Sequence, residues 1–282
     1  MEVVYLFRIK FTKIDSILID DENLTPEQIF RKAIEEKPLV EIKKNSLWMI
    51  GNIAYLDDEK NTGTFNVGRK SQNHVSKYND NSRDFEDTLE ENSPNSKIFF
   101  NLKFGILGIT NKQALSNNEF SLVNKIRKLF EHTKAVRKAF RNVEITEIKN
   151  PESFVIRLRN ASCIKRFDVH FSGQNPFDAD EAFHKPMSAY LDATGGDKGH
   201  TVVEGHSLNV DTCVQMAISI AATGNDASAI IKDSNNRRIT TTKISLSKDI
   251  AKFVLAEDIQ NDDKKIIESM MQYYDKVRNY ES

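Results

Sequence analysis

Histidines and carboxylates that could bind a divalent metal are concentrated in one stretch of this sequence. Of the six histidines, four lie between positions 170 and 206, among several Asp and Glu residues. Asp180 and His184 are four residues apart and would share one face of a helix, and carboxylate and imidazole are both metal ligands. His170 lies near the end of a predicted strand, a usual place for a catalytic group. The pattern predicts a divalent-metal site for a hydrolase or nuclease, formed by His170, Asp180, His184 and His206.

The same acids have a second interpretation that involves no metal. Asn175 and Pro176 form a turn, Asp178 is a natural N-cap, and Glu181 lies where a capping box places its acid. The HExxH spacing and the paired cysteines that identify many metalloenzymes are absent from the sequence. The residues therefore leave open whether the protein is an enzyme and whether it uses a divalent metal.

A second group of candidate residues is strongly basic. Between Ser121 and the end of the group only Glu131 opposes seven cations, which are Lys125, Arg127, Lys128, Lys134, Arg137, Lys138 and Arg141. At about 100° per residue, the apolar side chains of this stretch fall on one side of a helix, and that side must be buried. Ser116 and Glu119 form a capping-box pattern. The sequence therefore predicts one long basic amphipathic helix around residues 119 to 141.

Such a helix can bind a phosphate backbone, because cations on a rigid element displace the counterions of a polyanion. One edge of the helix carries Arg127, Lys134 and Lys138. The full set of predicted nucleic-acid-binding residues is Lys125, Arg127, Lys128, Lys134, Lys138 and Arg141. In the alternative interpretation, the lysine and arginine stems only cover the borders of the apolar stripe while their charges stay in water.

The segment between the two groups of predicted elements is polar and acidic. Residues 80–91 hold six acids against one base, Arg83, and show little apolar periodicity. This composition predicts a flexible loop at residues 71–96, between a β-rich part at 1–70 and an α/β part at 97–282. The two parts could also form one continuous domain. The acidic loop could balance the basic helix, or occupy its face until a nucleic acid or a partner displaces it.

Hydrophobic periodicity and capping signals predict a mixed α/β fold of the α+β kind. It has an N-terminal β-rich part, then alternating strands and helices, and a C-terminal helix. Strands are expected at 3–11, 14–19, 97–109, 143–148, 164–171 and 201–204, and hairpins at 47–56 with 62–69 and at 227–231 with 238–246. Helices are expected at 25–37, after Asn150-Pro151, and at 178–191, 211–222 and 262–280. The topology stays open.

The composition limits the class of protein. The net charge is −1 with 29% charged residues, so any attraction to a nucleic acid must be local. Two distant cysteines, Cys163 and Cys213, argue against a disulfide scaffold and a thiolate zinc site. Without a signal-peptide pattern or a run of about 20 apolar residues, we expect a cytoplasmic protein with no membrane segment. Tyr273, Tyr274 and Tyr280 lie with Met270 and Met271 on the otherwise polar C-terminal helix, and an exposed edge there leaves a protein partner or a homo-oligomer open.

A short internal run carries a resemblance to known proteins. The residues from Glu144 to Asp178 contain Asn-Pro-Glu-Ser-Phe, the predicted strand at 164–171 and then Gln-Asn-Pro-Phe-Asp. This run resembles uncharacterised bacterial proteins associated with phage defence. The resemblance implies a setting in which nucleic-acid sensing, nuclease activity and toxin-like partnership are common roles, and it carries over no catalytic residue.

Together, these features predict a nucleic-acid-associated accessory protein in bacterial antiviral defence, which binds the phosphate backbone through its basic helix. One alternative is a metal-dependent nuclease or hydrolase that uses the cluster of histidines and aspartates. The other is a protein–protein interaction module that binds no nucleic acid.

Overall fold

The computed structural model describes residues 2–14, 24–44, 46–110, 112–172, 183–196, 198–235, 238–246 and 249–280. Fourteen strands lie in the described residues: β1 (Val3–Lys13), β2 (Leu39–Lys43), β3 (Ser46–Tyr55), β4 (Thr62–Arg69), β5 (Ser71–Asn79), β6 (Asp84–Asn92), β7 (Asn95–Asn101), β8 (Ile106–Thr110), β9 (Arg141–Glu147), β10 (Cys163–Ser172), β11 (Lys198–Leu208), β12 (Asp226–Asn235), β13 (Arg238–Ser245) and β14 (Lys252–Val254). The described helices are α1 (Pro26–Glu35), α2 (Glu119–Glu131), α3 (Lys134–Lys138), α4 (Glu152–Asn160), α5 (His184–Thr194), α6 (Val210–Ala222) and α7 (Asp263–Arg278). The fold is mixed α/β, as predicted.

The first sheet has the strand order β14-β1-β8-β7-β4-β3-β2, and its strands pair antiparallel. β9 pairs with β1 as well, opposite residues 7–13. Strands from both sides of the acidic segment share this sheet, because β4 pairs with β7 and β1 pairs with β8. Residues 1–70 and the first strands of the following part are therefore joined by hydrogen bonds into one layer.

Both faces of the first sheet are apolar. Side chains alternate along β1 with a period of two, so its neighbours in sequence face opposite sides. Phe7 and Ile9 pack in a core with the buried residues of α1, α2 and α3. Val4 and Leu6 pack on the other side with α7, through residues such as Met270. The sheet is the middle layer between these two sets of helices.

The second sheet has the strand order β11-β10-β12-β13 and is also antiparallel. One of its faces packs Phe167 and Val169 against α4 and α6. The residues that alternate with them along β10 are Arg166, Asp168 and His170, which therefore lie on the opposite, polar face. The second sheet thus has one apolar face and one face that can meet solvent or a ligand.

Two buried cations of β1 connect the sheets. Arg8 donates hydrogen bonds to the carbonyl oxygen of Ala222 at 2.9 Å and to the hydroxyl of Tyr274 at 2.6 Å. The Nζ atom of Lys10 donates to Oδ1 of Asn225 at 3.1 Å. Buried charges need such partners to offset the loss of water. These bonds fix β1 of the first sheet against the end of α6 and the turn that leads into β12.

Several predicted elements are confirmed. The capping box at α1 is present, because the Thr25 hydroxyl accepts from the Gln28 amide while the Gln28 side chain accepts from the Thr25 amide. The hairpins β3–β4 and β12–β13 and the C-terminal helix α7 lie where the sequence places them. Most of the strand predicted at 14–19 falls outside the described residues.

The predicted start of the long basic helix at residue 119 is confirmed, but the capping box predicted for it at Ser116 and Glu119 is wrong. α2 begins after Asn118, whose Oδ1 accepts from the Ser121 amide at 2.8 Å. Asn118 is therefore the N-cap in place of Ser116. Both residue types cap helices well, and the choice between them depends on where the chain leaves the sheet.

The same helix also ends earlier than predicted. The Thr133 hydroxyl accepts from the Val136 amide and begins the separate helix α3. The carboxylate of Glu36, at the end of α1, accepts from the first two amides of α3 at 2.6 Å each. Phe140 then takes a positive φ of 46°, and Arg141 begins β9. These local hydrogen bonds compete with the continuous helical ladder and break it.

The prediction of a loop without regular structure at residues 71–96 is also wrong. β5 and β6 form a two-stranded antiparallel ribbon over most of this segment. Its turn is stabilised by Asn79, whose Oδ1 accepts from the Asn81 amide at 2.9 Å, and Arg83 takes a positive φ of 57°. Across the strands, Tyr78 and Phe85 form an edge-to-face pair with ring centroids 5.3 Å apart. The sequence did not indicate the two strands, because neither face of the ribbon packs in the core and its residues therefore show little apolar periodicity.

The apolar run at residues 97–109 is two strands and not one. β7 and β8 pair with each other across a turn that ends at Gly105, where φ is +61°. A Cβ atom at this position would lie 2.7 Å from the carbonyl oxygen of Ile9. Only glycine fits this conformation and this close approach.

Candidate nucleic-acid interface

Three lysines lie near one another beside the hairpin of β2 and β3. Lys125 and Lys128 are on α2, and Lys43 is the last residue of β2. The apolar stripe of α2 is buried in the core of the first sheet, and this packing turns the border of the helix toward the hairpin. The Nζ atom of Lys125 lies 5.8 Å from the ring centroid of Trp48 on β3. We call Lys43, Lys125 and Lys128 the lysine face.

The charges of the lysine face repel one another. Burial lowers the pKa of Lys125, and the positive charges of Lys43 and Lys128 lower it further. Within the part of the chain that the structure describes, no carboxylate forms an ion pair with any of the three. A bound anion would relieve this repulsion, because an opposite charge nearby favours the charged form of a lysine. The lysine face is therefore suited to bind anions.

Trp48 supports the lysine face from below. It is only 3% exposed, and its Nε1 donates to the Ser46 hydroxyl at 3.0 Å. Phe99 and Phe100 are also buried in the core. Stacking on a nucleobase requires an exposed ring face. These rings stabilise the fold, and the lysine face offers charge to a ligand.

The other predicted nucleic-acid-binding residues are distributed differently. Arg127 forms an ion pair with Glu131 within α2. Lys134 and Lys138 are exposed on α3, and Arg141 is half-buried at the start of β9. The break between the two helices means that Arg127, Lys134 and Lys138 do not form one continuous helical edge. The structure brings together Lys125 and Lys128, and separates them from the cations that follow.

Sequence reasoning missed Lys43. It is far from α2 in the chain, and only the packing of α2 against β2 and β3 brings it near Lys125. The available signal was the pair Lys43-Lys44, where β2 of the hairpin with β3 ends. A turn with two adjacent cations becomes a candidate for anion binding only when its neighbour in space is known.

The histidines predicted to bind a metal do not assemble into one site in the described residues. His170 and His200 lie opposite each other on β10 and β11, with parallel rings and centroids 4.1 Å apart. His206 is six residues further along β11, about 20 Å away in an extended strand. Asp180 lies outside the described residues, and so does the side chain of His184. Among the described side chains, no group of three or more His, Cys, Asp or Glu residues could hold a metal ion.

The polar face of the second sheet holds a set of charges that satisfy one another. Arg166 donates two hydrogen bonds to Oδ1 of Asp168, at 2.8 and 2.9 Å, and another to Glu204 at 2.8 Å. Ser228 contacts the same aspartate at 3.4 Å, and Nε2 of His200 lies 3.6 Å from it. We call these five residues the Arg166 network. The hydrogen bonds from Arg166 lower the pKa of Asp168, because they stabilise its charged form.

Comparison with known proteins places the chain in a family but assigns it no activity. A family model described as a domain of unknown function, DUF4747, matches residues 24–272, which include the lysine face and the Arg166 network. No curated protein matches the sequence. The match does not bear on phage defence, which stays a prediction. Among the described helices, none is both long enough and apolar enough to cross a membrane.

Proposed function

The chain belongs to the DUF4747 family, and we propose that it binds the phosphate backbone of a nucleic acid through its lysine face. The observation that carries this proposal is the grouping of Lys43, Lys125 and Lys128 beside Trp48, with no ion-paired carboxylate among the described residues. Burial lowers the pKa of Lys125, and repulsion from the other two lysines lowers it further. Charges that repel one another destabilise the folded protein, and a bound polyanion would offset this repulsion.

The same geometry limits what the lysine face can recognise. Lysine ammonium groups contact phosphates as point charges, so they supply affinity and orientation but little sequence information. Trp48 is buried beneath Lys125, so its ring is not presented to a base. We therefore expect binding that depends strongly on salt and weakly on nucleotide sequence.

The proposal extends the setting implied by the resemblance, that of an accessory protein in bacterial antiviral defence. The alternative of a metal-dependent nuclease gains no support from the described residues. Of its four predicted ligands, His170 and His206 lie far apart on β10 and β11. The alternative of a protein interaction module is compatible with the lysine face, because a protein partner can also supply negative charges.

The proposal is tested by measuring the affinity for short, fluorescently labelled single- and double-stranded DNA and RNA of mixed sequence. The test variant carries Lys43→Glu, Lys125→Glu and Lys128→Glu together. We expect it to bind about 100-fold more weakly than the wild type at low salt, and the slope of log affinity against log salt to fall by about 2 to 3.

Two control variants make the result specific. Charge reversal at Lys243, Lys264 and Lys276, which are exposed elsewhere, changes the net charge equally and should weaken binding less than threefold or so. Reversal at Lys134 and Lys138 tests α3 separately. Equal losses in the test variant and the first control would refute the proposal. So would the absence of binding at low salt by both the wild type and a variant that lacks residues 72–91.

A further inference from the structure

The ribbon formed by β5 and β6 projects from the first sheet as an arm. Its strands pair over nine residues each, from Ser71 opposite Asn92 to Asn79 opposite Asp84, a length of about 30 Å. The arm connects two strands of the first sheet: β4 ends at Arg69 just before the arm, and β7 begins at Asn95 just after it. We call residues 71–92 the arm.

The arm leaves the sheet beside the lysine face. Trp48, under Lys125, pairs with Arg69 at the end of β4. The Lys70 amide then donates to the Leu47 carbonyl oxygen at 2.9 Å, immediately before the arm begins. Lys43 pairs with Ser46 at the start of β3, so it lies at the same edge of the sheet. The lysine face therefore lies at the base of the arm.

The far end of the arm is acidic and carries exposed aromatic rings. Tyr78 and Phe85 are 52% and 75% exposed, and they contact each other. Within the described part of the chain, no cation forms an ion pair with Asp80, Asp84 or Asp87. The whole arm has six acidic residues against two basic ones. An isolated two-stranded ribbon is marginally stable in water, so an exposed arm of this length suits a binding role.

We infer that the arm of one copy of this chain docks on the lysine face of a second copy, and that the exchange is reciprocal. Four of the six acids, Asp80, Asp84, Glu86 and Asp87, lie toward the tip of the arm, while Glu90 and Glu91 lie at its base, where Glu91 forms an ion pair with Lys70. The tip and the lysine face are about 30 Å apart along the ribbon, so the acids at the tip of a straight arm do not reach the lysine face of their own chain. Two arms lying side by side in opposite directions place each tip at the base of the other. Such a pairing is a two-fold symmetric, self-complementary contact, the commonest form of homodimer.

Charge complementarity favours the arm of a second copy as the partner of the lysine face. Each tip brings carboxylates to three lysines that repel one another, and charges of opposite sign across an interface favour the correct register. The aromatic pair Tyr78–Phe85 would gain partners that the arm itself does not supply, and buried aromatic rings dominate many interfaces. The inference uses the same lysine face as the proposed function, so self-association and nucleic-acid binding would compete.

The test measures the mass of the full chain in solution at low salt, by light scattering after size exclusion and by sedimentation, without nucleic acid. We expect a dimer that dissociates as salt increases. An arm variant with Asp80→Lys, Asp84→Lys and Asp87→Lys should be monomeric, and so should the face variant with Lys43→Glu, Lys125→Glu and Lys128→Glu. Each should raise the dimer dissociation constant at least tenfold, because like charges then meet across the contact.

Mixing the two variants gives the decisive result. The arm variant has a basic tip and a basic face, and the face variant has an acidic tip and an acidic face, so an equal mixture restores attraction at both contacts. We expect a heterodimer in the mixture, which would also show that both variants are folded. A matched control with Glu257→Lys, Asp258→Lys and Glu268→Lys, at exposed positions outside the arm, should remain a dimer.

Three outcomes would overturn the inference: a monomeric wild type at low salt, variants that remain dimeric, or a mixture that stays monomeric. A wild type that is monomeric but binds nucleic acid through its lysine face would contradict only the exchange of arms. If the wild type is a dimer, and neither it nor a variant that lacks residues 72–91 binds nucleic acid, only the proposed function is contradicted. If both hold, that deletion should raise nucleic-acid affinity about tenfold, because the competitor for the lysine face is removed.

Discussion

The lysine face and the Arg166 network contain similar kinds of charged residues but use them in opposite ways. In the Arg166 network, each charge has a partner of opposite sign, and Asp168 is held between Arg166, Ser228 and His200. In the lysine face, three charges of one sign lie together, and no carboxylate among the described residues forms an ion pair with them. The first arrangement stabilises the fold by itself, while the second leaves the repulsion of its charges uncompensated among the described residues.

This comparison shows why charge composition is a poor guide to binding sites in this protein. The stretch of seven cations at residues 121–141 includes Arg127, which is neutralised by Glu131 in the folded chain. Likewise, His170 and His200 resemble metal ligands by type, yet their rings stack on each other beside the paired charges of Arg166 and Asp168. Whether a charge is already paired decides whether it can bind a ligand, and the three-dimensional structure determines the pairing.

The largest expected contrast in stability comes from Asp168→Asn. Asp168 is 6% exposed and accepts several hydrogen bonds from Arg166, so neutralising it removes the centre of a nearly buried network. We expect the free energy of unfolding at neutral pH to fall by about 1 to 3 kcal/mol, measured by urea denaturation.

The matched control for this contrast is Glu204→Gln, which contacts the same arginine but has a side chain that is 62% exposed. Its effect should stay below about 0.5 kcal/mol, as for most exposed ion pairs. Nucleic-acid binding should be unchanged in both variants. Equal losses of stability at Asp168 and Glu204 would show that the network does not depend on the buried carboxylate.

The sequence predicts the elements whose signals are local. The capping box at Thr25 and the hairpin of β3 and β4 are encoded within a few residues and are confirmed. The arm was mistaken for a loop because its strands bury little apolar surface and are defined by pairing with each other. The break at Thr133 depends partly on Glu36, a carboxylate from another helix. Elements decided by distant partners cannot be predicted from local periodicity.

The residues of the candidate sites also differ in whether the local sequence could predict them. Lys125 and Lys128 could be predicted because their spacing places them beside an apolar helical stripe. Lys43 could not, because its contribution depends on how α2 packs against β2 and β3. The separation of His170 from His206 follows from the register of β10 and β11, which a single sequence does not specify.

The loss of stability caused by Asp168→Asn should depend on pH. Arg166 lowers the pKa of this carboxyl in the folded state below its ordinary value, so its contribution to stability is complete above about pH 5. The contribution is lost as the pH falls through the lowered pKa, because the folded protein then takes up the proton too. The difference in unfolding free energy between the wild type and Asp168→Asn should therefore shrink below about pH 4 and vanish at lower pH.

Urea denaturation of both proteins between about pH 7 and pH 2.5 would measure this dependence. The Glu204→Gln variant is again the control, and its small difference should change little over the same range. A difference at Asp168 that stays constant down to the lowest pH would mean that packing, and not the carboxylate charge, explains the loss of stability.

The smallest expected change in stability is at the lysine face, where removing a charge should stabilise the protein instead of destabilising it. Burial and then the charges of Lys43 and Lys128 lower the pKa of Lys125, so its charged form is less favourable in the folded protein than in the unfolded chain. Lys125→Gln should therefore raise the free energy of unfolding at neutral pH, by up to about 0.5 kcal/mol at low salt.

Salt should reduce this gain and alkaline pH should remove it, for different reasons. Salt screens the repulsion among exposed charges. As the pH rises through the lowered pKa of Lys125, the wild-type side chain loses its proton in the folded state and the repulsion disappears. Lys243→Gln, at an exposed position on the second sheet, is the control and should show neither dependence. If Lys125→Gln instead destabilises the protein at every salt concentration, the contact with Trp48 outweighs the repulsion, and the lysine face is less strained than the arrangement of its charges implies.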